Sequence, residues 1–426
     1  MERAFDIVVI GAGPAGLAAA HAAAVSGAKI AIIDDNPHAG GQIWRGGPAR
    51  SGDERAVALW TSLCVATNVE VLLRTRICAP LGGRRLLAET PEGALVLEYG
   101  KLILATGARE RLLPFPGWTL PGVTGAGGLQ ALSKGGYPVE GKRIVVAGSG
   151  PLLLAAAATL TGKGAQVIAV LEQAPWHRLA RFGLSLGMTP NKLAQAMQLR
   201  ETLRGVPYLA NSHVLEAQGS GKLEQVVFKQ GGRRRTLACD FLACGFGLVP
   251  NTELATALDC AVSGGAVTVD RHQATSVPDI WCAGEGTGIG GVDLSLAEGT
   301  IAGLSASGQA GGIAEHDAER ARWRGFARRL ARTFALRPEL RTLCDADTIV
   351  CRCEDVTHGE LAPHTSWRSA KLQTRCGMGP CQGRICGGAT DFLYGWTQDS
   401  VRAPLSPLRI ESLVNAASAS SDTRSA

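Results

Sequence analysis

The stretch Ile7–Gly16, IVVIGAGPAG, restricts the fold of this chain more than any other. An apolar strand runs into a glycine turn and then into an alanine-rich segment, Leu17–Val25, suited to a helix. Each glycine has its own physical task. Gly11 permits the tight turn, Gly13 removes a side chain where backbone must approach a diphosphate, and Gly16 lets the helix lie close to the strand, with Pro14 and Ala15 between them. The diphosphate then meets the positive end of the helix. A second strand, Lys29–Ile33, delivers Asp34 eighteen residues after Gly16, with Asp35 beside it. An acid at that spacing suits an adenosine ribose. A plain glycine turn explains the glycines but not strand, turn, helix, strand and acid in that order.

Asp34 leads into a turn-rich passage in which Gly40 and Gly41 expose backbone N–H groups and Gln42 and Arg45 follow, a composition suited to phosphate or a flavin ring edge. Residues 53–67 have helical spacing, and 69–73, 85–89 and 94–98 alternate as short strands. The strand Lys101–Ala105 ends in Thr106-Gly107-Ala108-Arg109, and three prolines with two glycines then make 113–123 a linker. From Lys142 the opening pattern recurs as RIVVAGSGPLLLAAAATL and AQVIAVLE, with Gly148 and Gly150 in place but Leu153 where the third glycine belongs. Leucine there is expected to push the helix off its strand or fill the groove. Glu172 ends the second strand, and an acid there disfavours a 2′-phosphate. Structural retention or adenylate-only binding is therefore preferred to a working NADH site. A strand-like run, 240–251, returns the chain to the first domain, and Asp279–Cys282 leads into Ala283-Gly284-Glu285 and a helix over 293–307. An arginine-studded helix, 314–336, follows and is closed by Pro338.

With 426 residues and 46% hydrophobic content, the chain can bury two or three cores. The formal charge of +6 is mostly scattered arginine. Arg233–Arg235 and the run from Arg320 to Arg332 read as solvated faces, and nucleic acid is not an expected partner because no aromatic interleaving accompanies them. No run approaches the roughly 18 apolar residues of a membrane span, and acidic Glu2 and Asp6 argue against a signal peptide, so a cytoplasmic protein is expected. Of twelve cysteines, Cys64, Cys78, Cys239, Cys244, Cys260, Cys282 and Cys344 are dispersed and expected to be buried thiols. The other five, Cys351, Cys353, Cys376, Cys381 and Cys386, crowd into 36 positions as C-x-C and a doubled C-x4-C. In a reducing compartment that favours metal over disulfide, and thiolates suit zinc or an iron–sulfur cluster. Neither pair has the C-x2-C spacing of a zinc ribbon.

KLILATGAR resembles the returning strand of flavoproteins with two dinucleotide domains, and Ala283-Gly284-Glu285 resembles their Ala-Gly-Asp, whose acid binds the ribityl chain. The resemblance implies FAD held by Gly11, Gly13, Pro14, Ala15, Gly16, Asp34, Asp35, Gly41, Gln42, Arg45, Thr106, Gly107, Gly284 and Glu285. CRCE-x-VT with GMG-x-CQG-x-x-C resembles the bacterioferritin-associated-ferredoxin-like [2Fe–2S] module. On that pattern the ligands are Cys351, Cys353, Cys381 and Cys386, while Cys376 is spaced to substitute for Cys386. The expected fold class is α/β: two Rossmann-like dinucleotide-binding domains, the second inserted in the first, plus a small α-rich [2Fe–2S] domain. The expected boundaries are 1–123 with 240–312 for FAD, 124–239 for the degenerate second domain, 313–342 for a helical linker, 343–395 for the cluster and 396–426 for an extended, finally disordered tail.

PFPGWTLPGV, GSGPLLLA and CQGRIC, together with that order of domains, resemble the α subunits of heteromeric FAD-dependent amino- and imino-acid dehydrogenases, the family of D-hydroxyproline dehydrogenase, opine oxidase and hydrogen cyanide synthase. The resemblance implies substrate oxidation at a second flavin in a β subunit; a small γ ferredoxin-like subunit is a further candidate. Electrons then pass through the cluster and this chain's FAD to a non-nicotinamide acceptor, with a peripheral membrane contact through that acceptor also a candidate. D-hydroxyproline or an opine is the first expectation for substrate, glycine the next. No residue of this chain is assigned a catalytic acid, base or nucleophile. Two other readings stay open: a self-sufficient NADH-dependent ferredoxin or disulfide-type reductase, and a non-catalytic iron–sulfur scaffold.

Overall fold

The computed structural model describes residues 1–414 apart from Asp399, so the far end of the expected tail, 415–426, lies outside the described residues. The chain divides into two compact units: Met1–Arg109 with Val249–Ala327 and the segment from Asp399, and Glu110–Leu248 with Arg328–Gln398.

The first unit is built on a sheet in which Val69–Leu72, Ile30–Ile33, Glu2–Ile10, Gly93–Leu104, Arg85–Thr90 and Arg76–Gly82 follow one another, with Ile280–Cys282 also paired to Gly93–Leu104. The strands at its nucleotide end are parallel. Ile7–Ile10 and Ile30–Ile33 are buried at every position, as befits parallel strands covered on both faces. The first glycine turn feeds the helix Pro14–Ala24, which packs against the helix Val292–Ala306. This approach is close because of two glycines. A Cβ on Gly299 would lie 2.2 Å from the Ala15 carbonyl oxygen, and one on Gly303 would lie 2.1 Å from that of Ala19. Spaced four residues apart, both glycines share one helix face. Gly303→Ala is therefore expected to destabilise the chain by about 1–3 kcal/mol, the usual range for overpacking, read as a lowered urea midpoint.

Two expectations are corrected in this unit. The arginine run is not simply a solvated face: Arg320 is 8% exposed and donates to the Arg271 carbonyl and to Asp317 Oδ1, the latter at 2.6 Å. Its helix, Ile313–Thr333, buries part of its charged side, because polar acceptors wait inside. Cys64 is exposed on the helix Glu54–Val65, whereas Cys78, Cys260 and Cys282 are buried as expected. Residues 400–409 form neither helix nor strand but are tied down: the Leu405 N–H donates to the Cys78 carbonyl at 2.7 Å and Arg409 Nε to Glu89 Oε1 at 2.9 Å.

The second unit has an all-parallel five-stranded sheet, ordered Tyr208–Leu209, Gln166–Glu172, Arg143–Gly148, Phe241–Gly245 and Val123–Gly125. An antiparallel meander, Ser212–Gln218, Gln225–Gln230 and Arg233–Ala238, stands beside it. Cys239 and Cys244 are core residues here; burial pushes the Cys239 thiol up to about 12, which leaves it unreactive. The C-terminal helical region belongs to the same unit. Leu340 and Phe392 join Leu113, Phe115 and Leu242 in one apolar cluster, and Trp118 Nε1 donates to the Ile349 carbonyl at 2.6 Å. Among the described residues no helix is long and apolar enough to cross a membrane.

Candidate functional site

Around the first glycine turn the expected residues converge. Gly11 has φ +106°, and a Cβ there would lie 2.2 Å from the Ala105 carbonyl oxygen; one on Gly16 would lie 1.8 Å from that of Gly11. Gly13 differs. Its nearest neighbour would be Gly41 Cα at 3.9 Å, an ordinary contact with no clash, and Gly13 remains partly accessible. Pro14 and Ala15 begin the helix, whose first N–H groups have no intrahelical partner. The Asp34 carboxylate is nearly buried: Oδ2 accepts from Ala12 N at 2.7 Å, and Oδ1 from Asn36 N at 2.9 Å and Asn36 Nδ2 at 2.8 Å. With about four lone-pair sites, it keeps capacity for a ribose hydroxyl. Asp35 is exposed beside it, 3.9 Å from Arg76 Nε.

The loop after Asp34 folds back over the turn. The Gly40 N–H donates to the Ala12 carbonyl at 2.7 Å, and a Cβ on Gly41 would lie 3.1 Å from Gly13 Cα, so the paired glycines are needed for close approach. Arg45 Nη1 donates to Gln42 Oε1 at 2.6 Å; the two form an exposed pair, while Trp44 between them is buried. Thr106 and Gly107 are held by Asn251, which the sequence did not single out: Thr106 Oγ1 donates to the Asn251 carbonyl at 2.7 Å and Asn251 Nδ2 returns a bond to the Thr106 carbonyl at 2.9 Å.

Gly284 and Glu285 lie in a short turn anchored by a second missed residue, Glu298. Its side chain is 1% exposed; Oε2 accepts from Gly284 N at 3.2 Å and Thr287 Oγ1 at 2.7 Å, and Oε1 from Arg324 Nη2 at 2.8 Å. The signal was present in the sequence: an acid in the middle of the mostly apolar helix VDLSLAEGTIAGLSA, where Asp293 sits in the first turn but Glu298 does not. Burial pushes the Glu285 carboxyl up, partly offset by the Gly291 N–H.

The copy in the second unit is built differently. Leu153 is fully buried, and a Cβ on Gly245 would lie 3.2 Å from Leu153 Cδ2. The small residue opposite supplies the room that a third glycine supplies elsewhere. Glu172 is fully buried, with Oε2 accepting from Gly150 N and Oε1 from Ala174 N, each at 2.8 Å; burial raises its carboxyl to about 7.

The C-terminal cysteines form two groups. Sγ of Cys351, Cys376 and Cys386 lie within 4.8 Å of one another, all buried. Cys353 contacts Cys381, nearer the surface. The local structure explains the placement. Cys351 ends the strand Ile349–Cys351, Cys376 follows the left-handed cap Arg375 of the helix Trp367–Thr374, and Cys386 opens the helix Cys386–Tyr394. A Cβ on Gly379 would lie 2.3 Å from Cys353 Cβ, so glycine is needed for that loop to pass. Cys376 and Cys386, with the Gly377 N–H, hold the Cys351 thiol far below its usual value, at about 2. Cys351, Cys376 and Cys386 together could hold a metal ion, and thiol donors suit a soft one.

The pyridine nucleotide-disulphide oxidoreductase family pattern matches residues 5–307. Over 95% of its length the chain is 33% identical to the opine oxidase A-subunit of Rhizobium meliloti, covering 97% of that protein. It is 32% identical over 96% of its length to hydrogen cyanide synthase subunit HcnB of Pseudomonas aeruginosa, covering 98% of it. Among solved structures, L-proline dehydrogenase from P. horikoshii shares the fold with a TM-score of 0.67 at 19% identity, covering 97% of this chain and 80% of that one. Thioredoxin reductase of T. acidophilum matches 72% of this chain and 98% of its own, with a TM-score of 0.56 at 24% identity.

Proposed function

The chain belongs to the pyridine nucleotide-disulphide oxidoreductase family, and from that premise we propose that this oxidoreductase is the FAD- and iron–sulfur-carrying subunit of a heteromeric dehydrogenase for a small amino or imino acid. One observation carries the reading: a partly accessible glycine-turn site and a group of three buried cysteines share a chain that aligns almost end to end with the opine oxidase A-subunit and HcnB. Gly11, Gly13, Gly16 and Asp34 would hold the FAD diphosphate and ribose; Thr106, Gly107, Gly284 and Glu285 would meet the remainder. Cys353 and Cys381 would hold one iron of a [2Fe–2S] cluster, and Cys351 with Cys386 the other. Bound flavin and cluster supply the electron-carrying chemistry, and the protein's part is to position them and tune their surroundings. Burial makes Glu285 less acidic than a free carboxyl where it would meet the flavin. The substrate is oxidised on a β subunit with its own flavin, and electrons leave to a non-nicotinamide acceptor. A D-hydroxyproline or opine substrate is favoured, then glycine.

The test is anaerobic spectroscopy of the chain alone and with its co-expressed β subunit. Reduction of this chain's flavin by D-hydroxyproline, an opine or glycine is expected only with the β subunit present. Complete bleaching of the isolated chain by NADH would overturn the subunit reading.

A further inference from the structure

The two glycine turns differ in what covers them. Gly11 and Gly13 are partly accessible, whereas Gly148, Ser149 and Gly150 are buried. What buries them includes the chain itself, in the segment just beyond the helix Ile313–Thr333. Ser149 Oγ donates to the Phe334 carbonyl at 2.8 Å. Gln173 Nε2 donates to Ser149 Oγ at 2.9 Å and to the Ala335 carbonyl at 3.1 Å, and Gln173 Oε1 accepts from Arg337 N at 3.1 Å. Arg337 is then clamped by Asn211 Oδ1, 2.6 Å from Nη2. Above the turn sits the Phe334 ring: its Cγ would be 3.9 Å from a Cβ on Gly150, and it meets Phe182 edge-on with centroids 5.4 Å apart. At Gly13 a Cβ would likewise meet one neighbour at 3.9 Å, Gly41 Cα, but Gly13 stays partly accessible where Gly150 is buried.

We propose that Phe334–Arg337 occupies the diphosphate seat of the second dinucleotide domain in cis, so that this domain takes no nicotinamide dinucleotide. The segment mimics part of the ligand: its carbonyl oxygens accept from Ser149 and Gln173 at the glycine turn, and its aromatic ring closes the approach that Gly150 leaves open. The inference rests on the geometry of the second unit and deepens the reading of a non-nicotinamide acceptor.

It is tested by titrating the FAD-loaded full chain with NADH in a calorimeter, beside the variant Ser149→Ala/Gln173→Ala/Arg337→Ala. The wild-type chain is expected to show no saturable binding and the variant to gain it. If the segment is seated about 99% of the time, freeing the site tightens apparent affinity about 100-fold. Should the triple variant fail to fold, judged by circular dichroism and flavin content, Phe334→Ala removes the ring over Gly150 and is held to the same criterion. Wild-type binding as tight as the variant's, or a folded variant that gains no binding, overturns the proposal. Reduction by amino acid with the β subunit is measured on the same preparations, so failure of the subunit reading registers separately from failure of the seal.

Discussion

Cys351→Ser is expected to abolish the visible absorption and iron content of the C-terminal domain while FAD stays bound in the first unit. Cys351 Sγ lies within 4.8 Å of both Cys376 and Cys386, and Cys376 is spaced in the sequence to stand in for Cys386 rather than for Cys351. Cys381→Ser should have the same effect through the other group, where Cys353 has Cys381 as its thiol contact. The two remaining cysteines behave differently. Both lie within 4.8 Å of Cys351 Sγ, so Cys386→Ser should retain iron with a shifted spectrum as Cys376 substitutes, and Cys376→Ser should leave the spectrum nearly unchanged. The double change Cys376→Ser/Cys386→Ser should lose the cluster. Iron analysis and electron paramagnetic resonance of the reduced protein distinguish these outcomes, and survival of the native spectrum in both Cys351→Ser and Cys381→Ser would refute the ligand set.

Glu298→Ala should destabilise the chain by about 3 kcal/mol, the lower end of the cost of breaking a buried ion pair. The lower end applies because Arg324 is 40% exposed and can turn to water. The loss concentrates on Gly284 N and Thr287 Oγ1, which would be left without their carboxylate acceptor beside the flavin site. Flavin retention on gel filtration should therefore fall along with the urea midpoint. Glu298→Gln keeps an acceptor oxygen and should retain flavin better than alanine while losing the Arg324 pair. Equal flavin retention in wild type and Glu298→Ala would show that the turn at Gly284 is held by other contacts.

Much of the first unit is legible along the chain because its rules are local. Strand period, glycine spacing and the acid at Asp34 are fixed by backbone geometry within a few dozen residues, and the structure brings those residues to one end of one sheet. The helices at 292–306 and 313–333 fall within a few residues of their expected limits for the same reason. Leu153 could not be judged that way, since its accommodation depends on Gly245, 92 residues later. Arg320 looked solvated because its acceptors, Arg271 and Asp317, include one from a distant loop. The thiols divide similarly. Their number and spacing pointed to a soft metal, but only the fold decided that Cys376 stands with Cys351 and Cys386.

By itself, then, the amino-acid order determined that this chain builds two strand–turn–helix nucleotide units and a thiolate cluster, because each depends on periodicity and residue type over short spans. Tertiary structure decided which of those units is open. Gly13 stays partly accessible, whereas Gly150 is buried beside Phe334, a residue 184 positions away, and no local pattern records a contact made across that distance.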